Sequence, residues 1–198
     1  LIVDCPIETT EPASEPIEHS RVAQPGMRYC QAQALVHALM KDELFLSLSE
    51  REREAITGRI LEEVRGRMLE DIILLETSKA LSSRYKVCKL QFASGEIDML
   101  VYDREENCCA AFEIKHSRQA VAEQSRHLLD VGKCALTERR FGKLVGKYVL
   151  YLGENKSIEG SVSYRNAGEF LKELPAFQLR LEMRGHESAE QTQTHMTM

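Results

Sequence analysis

The sequence contains no tryptophan, and aromatic residues make up only 6% of its 198 positions. No aromatic base-stacking surface is marked out in it, the feature on which many single-strand binders rely. No apolar run approaches the roughly 20 residues of a membrane span, and no leader of basic, apolar and small residues opens the chain, so a cytoplasmic protein is expected. The six cysteines (Cys5, Cys30, Cys88, Cys108, Cys109 and Cys134) include no C-x-x-C pair. Most have apolar neighbours, which argues against a structural zinc site and for buried free thiols. The phosphate-binding pattern G-x-x-x-x-G-K-[ST] is absent, which excludes P-loop chemistry from these residues. Four of the five prolines fall within residues 1–25, so that stretch reads as a linker or the edge of an upstream domain.

The formal charge of −5 argues against a generic polyanion binder, but the charge is unevenly placed. From Lys115 to Lys147 there are eight Lys/Arg against three Asp/Glu, a local +5, and from Asp42 to Glu76 five Arg against ten acids, a local −5.

Apolar residues recur every fourth position at Ile56, Ile60, Val64, Met68 and Ile72, joined by Leu61, Leu69 and Ile73. This period predicts a long helix from Ser49 to Leu81 with a broad apolar face, and Ser49 with Glu52 fits a capping box at its start. A shorter helix is expected over Gln31–Met40. The period then shortens to two. Tyr85–Phe92, Glu96–Tyr102 and Cys108–Ile114 are β-rich runs separated by Ala-Ser-Gly and Asp-Arg-Glu-Glu-Asn, which predicts an antiparallel meander. A second helix is expected from Ser117 to Arg139, a buried strand between Gly146 and Gly153, a helix over Ala167–Glu173 and a strand over Phe177–Leu181. The order α-βββ-α-β gives an α/β sandwich with a mixed sheet, preceded by an extra N-terminal helix. Residues 184–198 lack apolar periodicity and read as a disordered tail.

Within the apolar strand runs stand three charges that folding alone does not explain: Asp98, Glu113 and Lys115. Burying an unpaired charge is costly. Side chains alternate along a strand, so Glu113 and Lys115 share a face about 7 Å apart, and a meander can place Asp98 beside them. Two carboxylates suit Mg²⁺ or Mn²⁺, hard cations that polarise a phosphodiester and acidify a water, and a lysine can orient that water or stabilise the charge that develops on phosphorus.

Asp98, fourteen intervening residues, and then Glu113-Ile-Lys115, on a meander after a helix that carries an acid, resembles the PD-(D/E)XK nuclease superfamily, which includes restriction endonucleases and Holliday-junction resolvases. The stretches Gly66-Arg-Met-Leu-Glu70-Asp-Ile-Ile-Leu-Leu-Glu76, Gly95-Glu-Ile-Asp98, Glu113-Ile-Lys-His-Ser117 and Glu123-Gln124-Ser-Arg126-His127-Leu128 resemble the C-terminal nuclease-like domain of predicted bacterial and archaeal AAA-type ATPases. The likeness spans Gly26 to Leu152 and implies a restriction-endonuclease-like domain over residues 26–183, with an ATPase domain upstream in the full-length protein. It also implies that Glu70 assists a metal site formed with Asp98 and Glu113, that Gln124 touches the site or substrate, and that Gly66 lets the helix approach the sheet closely. Ile97 stands where the superfamily usually has proline. The expected activity is metal-dependent hydrolysis of nucleic acid, DNA above all. The competing expectation is a non-cleaving accessory domain that binds nucleic acid or protein, since a fold does not dictate a function.

Overall fold

The computed structural model describes residues 16–19, 25–81, 83–157 and 162–175. A short strand β1 (Ile17–His19) comes first, followed by helices α1 (Pro25–Leu39), α2 (Glu43–Ser47) and α3 (Glu50–Ala80). The meander consists of β2 (Tyr85–Phe92), β3 (Gly95–Asp103) and β4 (Cys108–Ile114). After a 3-10 turn at Ala122–Ser125 come α4 (Arg126–Leu129), α5 (Val131–Phe141) and β5 (Lys143–Tyr151), then the short strands β6 (Lys156–Ser157) and β7 (Ser163–Asn166). A last helix, α6, covers residues 167–175. The seven strands form one mixed sheet in the order β1-β2-β3-β4-β5-β7-β6, antiparallel through the meander and parallel between β4, β5 and β7.

Helices cover both faces. On one, Ile73 and Leu74 of α3 and Phe170 and Leu174 of α6 pack on Met99, Val101, Phe112, Ile114 and Leu150. On the other, Leu128 of α4 and Phe141 of α5 pack on Leu90, Ile97, Leu100, Ala111 and Val149. The α/β class, the mixed sheet, the meander and the extra N-terminal helix therefore match the reading of the sequence. None of the described helices is long and apolar enough to cross a membrane.

Several expectations need correction. The capping box at Ser49 and Glu52 is present, but the broad apolar face of α3 is not buried along its length. Ile56, Leu61 and Ile72 stay more than a third exposed, and burial begins only at the last turns, where the helix reaches the sheet. The helix expected from Ser117 to Arg139 is interrupted. Residues 115–121 form a loop, and farther on the Asp130 side chain accepts from the Lys133 N–H at 3.0 Å and starts α5 afresh. Part of the supposed linker is a strand, since β1 pairs with β2, and Glu18 holds Lys86 and Arg140. The short strands β6 and β7 carry no sequence signal that singles them out. Among the described cysteines all are free thiols, but Cys30 is exposed rather than buried. Burial pushes the Cys88 and Cys109 thiols up to about 12, so both are inert. The strand expected at Phe177–Leu181, the tail and most of residues 1–25 lie outside the described residues.

Candidate active site

The ladder between β3 and β4 runs from Asp103↔Cys108 to Met99↔Phe112 and stops. Beyond it the strands part, and the gap is filled by a side chain: Ile114 N–H donates to Asp98 Oδ2 at 2.8 Å in place of a strand carbonyl. A β-bulge makes this possible. Cys88 pairs with Leu100 but Leu90 with Ile97, so Asp98 and Met99 together stand opposite Lys89. Bulges re-aim side chains at strand ends, and here the irregularity turns Asp98 into the gap.

The three charges singled out in the sequence do meet. Lys115 Nζ lies 2.9 Å from Asp98 Oδ2 and 2.6 Å from Glu113 Oε2. Both acids are almost fully buried, at 3% and 1% exposure. Burial, and then the Asp98 charge, lift the Glu113 carboxyl to about 8 despite the nearby ammonium. Burial alone would weaken the Lys115 cation, but Asp98 and Glu113 outweigh it and hold its pKa above the ordinary lysine range. The other Glu113 oxygen, Oε1, is buried with no hydrogen-bond partner, and a buried acceptor left unmade in this way is costly.

Glu70, on the last buried stretch of α3, faces the same site. One oxygen each of Glu70, Glu96 and Asp98 lie within 4.8 Å of one another. Lys89 Nζ sits among them, 3.1 Å from Glu70 and 3.0 Å from Glu96. Burial, followed by the Asp98 charge, raises the Glu70 pKa. Burial also disfavours the Lys89 cation, yet Glu70, Glu96 and Asp98 together raise its pKa. Sequence reasoning misses Glu96. The only sign of it there is its place two residues before Asp98, which puts both on one face of a strand.

The remaining expected residues divide. Gln124 uses its amide within its own loop, donating to the Gln119 carbonyl at 3.1 Å and accepting from Val121 N–H at 3.2 Å. His116 lies 3.3 Å from Glu62 on α3. His127 Nδ1 contacts Lys133 Nζ at 2.6 Å, and the same ammonium donates to the Ser94 carbonyl at 2.5 Å. Lys133 thus ties α5 to the turn that leads into Glu96 and Asp98. A Cβ added at Gly66 would meet only His116 Cβ at 4.0 Å, an ordinary contact, so the approach of α3 does not demand glycine.

Comparison of the chain with protein-family models, with curated proteins and with solved structures finds no match. Glu70, Glu96 and Asp98 offer an oxygen-only donor set that fits a hard metal ion. Glu113, expected as a ligand, stands outside that group, across Lys115 from Asp98, and holds one buried oxygen without a hydrogen-bond partner.

Proposed function

We propose that this chain is a metal-dependent nuclease of the PD-(D/E)XK type with a restriction-endonuclease-like fold, cleaving phosphodiester bonds in DNA as the nuclease-like part of a cytoplasmic ATPase. The observation that carries this reading is Lys115 held between Asp98 and Glu113 where β3 and β4 part, with Glu70 and Glu96 alongside. Asp98, Glu113, Glu70 and Glu96 would hold Mg²⁺ or Mn²⁺, and a bound ion would polarise the phosphodiester and acidify a water. Lys115 is a donor with no lone pair to give a metal. Its role is to orient the attacking water and to balance negative charge on the phosphoryl oxygens as the bond to phosphorus forms. Of the cations of the 115–147 stretch, Arg126, in the short helix after the loop that follows Lys115, would supply a phosphate contact outside the reacting group, whereas Lys143 pairs with Cys108 at the far end of β4.

A second reading is favoured by one feature. Lys89 and Lys115 already neutralise the acids in part, as they would in an accessory domain that binds nucleic acid or a protein without cutting. Incubation of the protein with duplex DNA in Mg²⁺, in Mn²⁺ and in EDTA decides between them. Metal-dependent cleavage that falls on the order of a hundredfold in Lys115→Ala, with metal binding retained, is the expected result. Cleavage that survives the substitution, or none in any metal, sinks the nuclease reading.

A further inference from the structure

Lys89 occupies the space that a cation at this site would need. Its ammonium touches Glu70 and Glu96, two of the three acids whose oxygens gather within 4.8 Å. A divalent ion on the same oxygens would both repel the ammonium and take its acceptors, so the two cannot share the site unchanged. The bulge fixes where Lys89 stands, on β2 opposite Asp98 and Met99 together, and its side chain reaches Glu70 of α3. Its side chain is 22% exposed, so the ammonium can reach solvent without the strand moving. Lys86, three residues earlier on the same strand, pairs with Glu18 instead of the cluster. Next to the cluster, Glu113 shares the Lys115 ammonium with Asp98 and keeps a second oxygen, Oε1, buried without a hydrogen-bond partner.

We infer that Lys89 is an internal counter-cation of the resting site, displaced when a divalent metal takes Glu70, Glu96 and Asp98, and that the freed ammonium then binds a phosphate of the DNA backbone. The inference rests on the nuclease reading and adds to it a coupling: metal loading creates a phosphate ligand that the metal-free protein lacks. Lys89 acts on metal occupancy as a competitor and on substrate as a positioning residue, with no part in the proton transfers.

Mn²⁺ alone is the first probe, titrated calorimetrically into wild type, Lys89→Met and Glu96→Gln. With the competitor removed, Lys89→Met should bind Mn²⁺ several-fold more tightly than wild type, while Glu96→Gln binds it more weakly. The second readout is affinity for a short DNA duplex with and without Ca²⁺, chosen to load the site while suppressing cleavage. Metal should tighten wild-type binding by about tenfold beyond any bulk salt effect, and Lys89→Met should lose that gain. If Lys89→Met fails to fold without metal, Mn²⁺ should restore its fold, since the ion replaces the missing positive charge, and the less drastic Lys89→Gln should behave alike. Unchanged or weaker Mn²⁺ binding in Lys89→Met, or no rescue of a misfolded variant, overturns the inference while wild-type cleavage leaves the nuclease reading standing. Absence of Mn²⁺ binding in wild type overturns both.

Discussion

At the scale of single residues, Glu113 links the stability of the metal-free protein to pH. Its carboxyl is raised from 4.5 in the unfolded chain to about 8 in the fold, by burial first and by Asp98 second. Below about pH 4.5 it is neutral in both states, and its contribution to stability is intact. Between there and about pH 8 the unfolded chain ionises while the folded one resists, so metal-free stability falls across this window and levels off above it. A tenfold difference in proton affinity between the two states corresponds to about 1.4 kcal/mol. Glu113→Gln should flatten that fall in EDTA and melt above wild type at pH 8, and pH-series melting curves check it. A sloping Glu113→Gln curve equal to that of wild type would mean that the carboxyl does not titrate there. The same residue shows what the sequence made legible. Asp98, Glu113 and Lys115 stood out because charge in an apolar strand needs a reason, and all three reach one point. Glu96 did not stand out, because an acid beside a turn is ordinarily solvated, and the bulge that gathers it with Asp98 depends on a register no local pattern encodes.

At the scale of elements, two glycines make opposite demands. Gly142, between α5 and β5, has φ +69°, and a Cβ there would fall 1.7 Å from the Asn107 carbonyl oxygen of the β3–β4 turn. Neither group can give way, so Gly142→Ala should cost at least about 2 kcal/mol from backbone strain before the overlap is counted. Gly66, within α3, has room, and Gly66→Ala should stabilise by up to about 1 kcal/mol through helix propensity. Denaturant titrations of the two variants measure both, and a neutral Gly142→Ala would show that the turn can rearrange. Elements with strong periodicity or clear punctuation were legible: α3, the meander, β5 and the helix at 167. Those missed were short and polar, with stability drawn from neighbours. β1 is three residues long and exists by pairing with β2, and β6 and β7 pair with each other at the far edge. The break at Asp130 was hidden because a capping aspartate inside an amphipathic run looks like one more polar residue.

At the scale of the whole molecule, a metal ion should act as a stabilising ligand of the native state. For a site with Kd about 1 mM at about 10 mM Mg²⁺ the linkage is about 1.4 kcal/mol, or about 3–6 °C in Tm for a domain of this size. Wild type should show this shift, and Asp98→Asn should lose most of it. An equal shift in both would show that Asp98 is not a ligand. The first half of α3 leaves Ile56 and Leu61 more than a third exposed, and the helix becomes buried against the sheet only from Asp71 onward. A stiff rod clamped near one end is a lever, and the clamp of this one adjoins Glu70, so a load on the outer turns of α3 is felt first at that carboxylate.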